Sequence, residues 1–187
     1  MVICQNVRTG AGCGAQYPAG TAVCQDPACA QSLRYALELR DPDEIAGNYR
    51  IVRLIDHGSF GAVYEARHVA TLQTVALKET FSLLHTGAFQ AELAALQGLR
   101  HPHLPRYDEV FEQDGHGYLA MEFVPGQSLA QVLARQAGPV ADGQLLGYAL
   151  QLCDVAHYLH GASPPLLHRD IKPANVRITP EGLIKLV

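Results

Sequence analysis

The sequence predicts a mixed α+β chain of two lobes, rich in strands first and helices later, behind a short cysteine-rich head. Three observations predict it. Residues 48–124 carry five segments with strand-like alternation and one helix-like segment between the third and fourth. After Pro125-Gly126 the apolar residues recur at helical spacing. Four of the five cysteines fall within residues 1–30, among Gly, Ala, Pro and Gln.

Composition narrows the class. Of 187 residues, 48% are hydrophobic and 17% charged, which favours a packed core over disorder. A net charge of −4 offers no basic footprint, so neither a nucleic acid nor an anionic membrane is an expected partner. No apolar run approaches the ~18–20 residues that cross a bilayer. The opening Met-Val-Ile-Cys-Gln-Asn lacks the basic-then-apolar order of a signal peptide. A cytoplasmic, reducing location is expected, where cysteines serve as thiols or metal ligands rather than disulfides.

The head, residues 1–30, holds Cys4, Cys13, Cys24 and Cys29. Four thiolates suit a tetrahedral zinc ion, and the Cys24–Cys29 spacing lies within the usual knuckle range. The Cys4–Cys13 spacing is longer than that range. About 30 residues cannot be held by core burial alone, which favours a metal; thiols on a flexible arm are the competing reading. Residues 31–47 read as a connector. Within them Ser32–Arg40 predicts a short helix capped by Ser32, broken by Asp41-Pro42.

From residue 48 the strands follow in order. Tyr49–Ile55 and Ala62–His68 alternate around a Gly-containing turn, and Thr74–Glu79 is a third strand. His85–Leu99 has apolar residues at helical spacing and ends before Pro102. Leu104–Glu112 and Gly117–Glu122 flank Asp114-Gly115, a hairpin signal. Ser128–Gln136 is a short helix. Asp142–His160 is a long one with a wide apolar face, on which Cys153 reads as a small core residue. Val176–Thr179 and Leu183–Val187 predict a last hairpin.

Chemistry concentrates in two places. Ile55-Asp56-His57-Gly58-Ser59-Phe60-Gly61-Ala62-Val63 puts glycines in a turn between strands, where backbone N–H groups can approach phosphate oxygens without a Cβ in the way. By itself, an ordinary hairpin turn is the commoner explanation. Val75-Ala76-Leu77-Lys78 then aims a lysine to the same side as Ala76, where an ammonium needs an anionic partner; Glu92 on the following helix offers one. A lysine reaching solvent and an exposed helix carboxylate are the bland alternatives. The second place is Leu167-His168-Arg169-Asp170-Ile171-Lys172-Pro173-Ala174-Asn175, a loop between a long helix and a short strand. Asp170 can orient a hydroxyl and accept its proton. Asn175 supplies a neutral oxygen suited to Mg²⁺. Lys172 brings positive charge to a transferring phosphoryl group. Three such residues at this spacing are hard to ascribe to a merely solvated loop.

In that order, these motifs resemble a eukaryotic-type protein kinase over residues 49–187, and the lysine two positions after Asp170 resembles the serine/threonine branch. The resemblance implies a two-lobe fold, with a five-stranded N-lobe bearing one helix (48–124) and a partial helical C-lobe (125–187). It implies an enzyme that transfers phosphoryl groups from ATP, with Mg²⁺, to an unidentified protein substrate. Gly58, Ser59, Phe60 and Gly61 would then cover the phosphates, and Lys78 would hold them and pair with Glu92. Ile55, Val63 and Ala76 would wall the adenine, Met121 would stand as gatekeeper, and Glu122 and Val124 would form the hinge. Asp170 would be the catalytic base, Lys172 the γ-phosphate contact and Asn175 a Mg²⁺ ligand. His168 would pack structurally, and Arg169 would hold an activation segment. The head resembles the small zinc ribbons that precede some bacterial kinases, with one knuckle stretched.

Two departures stand out. Asp56 replaces the usual first loop glycine and could repel phosphate. Leu183–Val187 resembles the strand that leads into Asp-Phe-Gly, so the chain reads as a fragment ending before that triplet, itself inactive for want of a metal ligand. The alternatives are a pseudokinase scaffold without catalysis, or a protein whose head recruits a partner while the kinase part is passive.

Overall fold

A computed structural model describes residues 1–6, 12–30, 32, 36–58, 61–80, 96–136 and 141–187. They fall into two units, one of residues 1–97 with 107–122, the other of 98–106 with 123–187.

The first unit is built on a sheet of order β4-β5-β6-β7-β9-β8. Its strands are β4 (Ile45–Ala46), β5 (Tyr49–Gly58), β6 (Gly61–His68), β7 (Thr74–Thr80), β8 (Tyr107–Gln113) and β9 (His116–Glu122). The five expected strands are present, and β4 adds a short edge. Successive strands pair antiparallel. Asp114 and Gly115 both take positive φ, 53° and 78°, as a tight β8–β9 hairpin with an Asp-Gly tip requires.

The register separates two faces. Val63, Lys78 and Leu119 are cross-strand neighbours, as are Ala76 and Met121, so these five side chains share one face. Ala62, Tyr64, Val75, Leu77, Glu79, Tyr118 and Ala120 occupy the other. On this second face lies the unit's core: Tyr49, Ile51, Tyr64, Leu77 and Tyr118, closed over by Ile3 and Leu39. Phe111 stacks between Tyr118 and Tyr49, with ring centroids 4.9 and 5.8 Å away.

Ile3 and Leu39 come from a smaller sheet of order β2-β1-β3, made of β1 (Val2–Asn6), β2 (Gln16–Tyr17) and β3 (Ala36–Glu38). The predicted helix over Ser32–Arg40 is not what residues 36–38 form. They pair antiparallel with β1, Leu37 opposite Ile3, and Ser32 bridges Val23. Backbone pairing with a neighbouring strand overrides the modest helical preference of this short segment. The head therefore covers the sheet's second face.

In the second unit, β10 (Gln127–Ser128), β11 (Val176–Ile178) and β12 (Ile184–Leu186) form a small antiparallel sheet. Helix α1 (Leu129–Arg135) starts at a capping box: Ser128 Oγ accepts the Gln131 N–H, and the Ser128 N–H donates to Gln131 Oε1. Helix α2 spans Asp142–His160, as the periodicity predicts. It buries Tyr148, Val155 and Leu159 but leaves Leu145, Leu146 and Leu150 exposed. Cys153 is exposed too, so it is not a core residue; it lies off the stripe that Val155 and Leu159 bury. The loop before β8 is pinned to β12, with His103 carbonyl accepting from Leu186 N–H at 2.9 Å and His103 Nδ1 lying 2.9 Å from the Ile184 carbonyl. No helix among the described residues is long and apolar enough to cross a membrane.

Candidate active site

The glycine hairpin joins β5 to β6, and Gly58 pairs with Gly61 at its mouth. Ser59 and Phe60 lie outside the described residues. Gly61 has a second reason to be glycine: a Cβ there would sit 2.1 Å from the Glu79 carbonyl of β7. Asp56, opposite Val63, accepts the His57 N–H at 2.8 Å. Ile55 stands half-buried at a bulge between Leu54 and Asp56, where one extra residue on β5 re-aims the strand toward its tip.

Lys78 shares its face with Ala76, as alternation predicts, flanked by Val63 and Leu119. Its side chain is exposed rather than enclosed. The helix expected over His85–Leu99, and Glu92 with it, lies outside the described residues except at its end, where Leu96 and Gln97 are helical. Met121 is buried at the end of β9, next to half-buried Glu122.

In the second unit, Val124 is buried, and Gly126 brings its backbone against Ile178 with φ at +101°, a conformation only glycine adopts cheaply. The loop before β11 holds the three candidate catalytic groups. Asn175 closes a 3₁₀ turn, Pro173–Asn175, whose Pro start fixes φ where no N–H is needed. Its Nδ2 donates to both the backbone carbonyl and Oδ2 of Asp170, each at 2.8 Å. That double donation engages the amide nitrogen of Asn175 and not its oxygen. Lys172 Nζ stands 2.9 Å from Asp170 Oδ2. The Lys172 ammonium, then the Asn175 amide, hold the Asp170 carboxyl below its ordinary range. Arg169, one residue earlier, has φ of 60°, an uncommon conformation outside glycine that marks a loop over-determined by its surroundings. His168 is half-buried.

The thiol cluster is the third candidate. Cys4, Cys13, Cys24 and Cys29 bring their Sγ atoms within 4.8 Å of one another. The long Cys4–Cys13 spacing closes because β2 folds back on β1, Tyr17 opposite Val2, so Gly14 N–H reaches the Cys4 carbonyl at 3.0 Å. The second knuckle turns at Asp26, whose carbonyl accepts Cys29 N–H at 3.0 Å and Ala30 N–H at 2.8 Å. Cys4–Cys29 and Cys13–Cys24 Sγ pairs stand 3.6 and 3.5 Å apart. For four sulfurs about 2.3 Å from a central zinc, tetrahedral edges are about 3.8 Å, so the donor set fits that ion. Tyr17 Oη lies 3.1 Å from Cys24 Sγ, and its hydroxyl is the first cause of a lowered Cys24 pKa.

One group was missed by the sequence reading. Glu79 is fully buried on the face opposite Lys78. Tyr118 Oη donates to its Oε1 at 2.6 Å and Tyr64 Oη to its Oε2 at 3.0 Å, while Arg40 Nε and His116 Nδ1 reach Oε1 at 3.2 and 2.8 Å. Burial pushes its pKa up, but the His116 and Tyr118 hydrogen bonds, the Arg40 charge and the Tyr64 hydroxyl outweigh it and hold the group ionised. The signal was available: alternation that aims Lys78 outward must aim Glu79 inward with Val75 and Leu77.

A six-stranded antiparallel sheet with a glycine hairpin and a strand lysine, in a chain that also carries an Asp-x-Lys loop, is the architecture of a protein kinase domain. Residues 49–187 match the family described as Protein kinase domain, and the chain belongs to that family. It is 33% identical over 141 residues to Serine/threonine-protein kinase Nek3 of Mus musculus, covering 74% of this chain and 27% of the relative. It is 34% identical over 154 residues to Serine/threonine-protein kinase pkn3 of Myxococcus xanthus, covering 75% and 27%. Against Putative CBL-interacting protein kinase 13 of Oryza sativa subsp. japonica it is 33% identical over 154 residues, covering 80% and 29%. The chain thus spans under a third of the length of these relatives. Among solved structures, "PpkA-294 apo form" matches with TM-score 0.68 at 22% identity, over 80% of this chain and 60% of that one, which supports the fold. Members of this family generally require ATP and Mg²⁺.

Proposed function

We propose that this chain is the nucleotide-binding and catalytic-loop portion of a cytoplasmic protein kinase that transfers the γ-phosphoryl group of ATP to serine or threonine hydroxyls of proteins. The observation that carries the reading is Asp170 held by two donors, Lys172 and Asn175, within one short loop. In this reading Asp170 orients the substrate hydroxyl and accepts its proton. A carboxylate held this acidic is a weak base, so it takes the proton only as bond formation makes the hydroxyl acidic; its earlier work is orientation. Lys172 neutralises charge on the transferring group. Lys78 holds the α- and β-phosphates and pairs with Glu92. Gly58, Ser59, Phe60 and Gly61 cover the phosphates. Ile55, Val63, Ala76 and Met121 enclose the adenine, and Glu122 and Val124 meet its edge. Asn175, whose amide nitrogen is engaged by Asp170, offers its amide oxygen as a ligand suited to a Mg²⁺ ion. When bound, that ion neutralises phosphate charge during transfer.

We assign the four thiols to a structural Zn²⁺ site, supported by the approach of their four sulfurs within 4.8 Å of one another. Residues 1–30, 31–47 and 48–187 serve in this reading as head, connector and kinase part.

The test is phosphate transfer from radiolabelled ATP by the full-length protein to itself or a generic Ser/Thr peptide. Lys78→Met and Asp170→Ala are expected to abolish incorporation. Undiminished incorporation in either would remove that residue's role.

A further inference from the structure

The head and the strand that carries Lys78 are joined by a buried apolar contact and a partly buried polar network. Cys4, a thiolate-site residue, follows Ile3, which is fully buried among Tyr64, Leu77 and Tyr118 on the sheet's second face. On the paired strand, Leu39 is buried beside it, and its N–H donates to the Met1 carbonyl at 2.8 Å. Arg40 comes next. Its backbone N–H donates to Tyr64 Oη at 3.1 Å, its Nε to Glu79, and its Nη2 to Tyr118 Oη at 2.6 Å. Glu79 is the neighbour of Lys78 on β7.

With the head docked, the Glu79 carboxylate has a guanidinium within hydrogen-bond reach and two phenol donors. If the head and the connector segment behind it came away, Glu79 would lose its arginine and the apolar face would lose the cover of Ile3 and Leu39, both unfavourable. Among the described residues, Ala15 and Tyr17 are what packs against the buried sulfurs of Cys4 and Cys24, so that part of the head is held largely by what binds those sulfurs.

We propose that Arg40 and Glu79 are positioning residues that tie the Lys78 strand to the thiolate site, so that metal in the head rigidifies that strand. This rests on the zinc reading above. Filling the four-thiolate site fixes β1 and β3, these hold Arg40 on Glu79, and Glu79 holds β7 from behind. Because the link is a coupling of equilibria, it also runs in reverse: whatever orders β7 through Lys78, a nucleotide included, raises the affinity of the head for metal by the same factor.

The experiment compares zinc-loaded and chelator-stripped chain by amide hydrogen exchange with mass spectrometry, reading peptides over 74–80, with peptides over 176–186 as internal reference. Zinc content is measured in parallel. Zinc is expected to slow exchange in 74–80 about tenfold, with the reference unchanged. In Arg40→Met, zinc should still bind with the same stoichiometry while the protection of 74–80 is lost; if that variant does not fold, Arg40→Lys, which keeps the charge but not the fork, should retain only part of it. A wild-type chain that binds zinc without altering 74–80 overturns the link and leaves the zinc site standing. So does a variant that keeps full zinc-dependent protection, or a change that spreads equally to the reference. A wild-type chain that binds no zinc removes the metal assignment and the link together.

Discussion

Glu79 and Asp170 are both carboxylates held ionised by neighbouring donors, yet they are built for opposite purposes. Glu79 is 0% exposed, and both of its oxygens are engaged by groups fixed in the sheet or the connector. The Asp170 side chain is 58% exposed; its two donors converge on Oδ2, and no described residue is hydrogen-bonded to Oδ1. A buried, saturated carboxylate acts as a strut: its charge is costly unless each partner stays in place. An exposed one with an open oxygen costs the fold little and is available to a substrate. Local donor count alone does not tell these cases apart; burial and the unused lone pairs do.

The comparison breaks first at Asp170. Asp170→Asn keeps size and shape but removes the proton acceptor, so in the full-length kinase transfer should fall about 100- to 10,000-fold. The urea midpoint of this chain should hardly move. A large loss of stability with transfer retained would make Asp170 the strut.

Glu79→Ala should do the reverse. It leaves Arg40, Tyr64 and Tyr118 without their common acceptor in a largely buried cluster, a loss of about 3 kcal/mol, visible as a lower urea midpoint followed by tyrosine fluorescence. Acid sharpens the same point. The folded-state pKa of Glu79 lies below its ordinary 4.5. Its stabilising contribution is therefore complete above the unfolded value and disappears as pH falls through the lower, folded value. Stability should drop steeply below about pH 4.5 in the native chain, and less steeply in Glu79→Gln, which has no proton to take up. Equal slopes would show that other carboxylates carry the acid sensitivity.

Much of the architecture was legible in the chain because its periodicities are local. The strands from Tyr49 to His68, the Asp-Gly hairpin and helix α2 follow from alternation, positive-φ residues and helical spacing that neighbours in sequence impose on one another. The Asp-x-Lys-x-x-Asn loop was legible for the same reason, since all three groups lie within six residues. Residues 36–38 were misread as helix because their structure is decided by β1, about 30 residues earlier, and no local pattern encodes a partner. Cys153 was misread because helical spacing says which residues share a stripe but not how much of that stripe finds cover. Glu79 was overlooked because a charged residue beside Lys78 reads as solvated until Arg40, Tyr64 and Tyr118 arrive from three other segments.

The smallest expected effect is also the most specific to Asp170. Lys172 is the first cause of its lowered pKa, with Asn175 second. In Lys172→Met the ammonium is gone while the Asn175 amide still donates to the same oxygen. The Asp170 pKa should rise part of the way toward its ordinary value, with stability changed by no more than about 0.5 kcal/mol, since both side chains are more than half exposed. Carboxylate ¹³C chemical shifts followed through an acid titration read this directly. In Lys172→Met/Asn175→Ala most of the remaining depression should be lost, leaving the smaller effect of His168. If Lys172→Met leaves the titration of Asp170 where it was, the ammonium at 2.9 Å is a bystander, and the poise of this carboxylate comes from the Asn175 amide and His168.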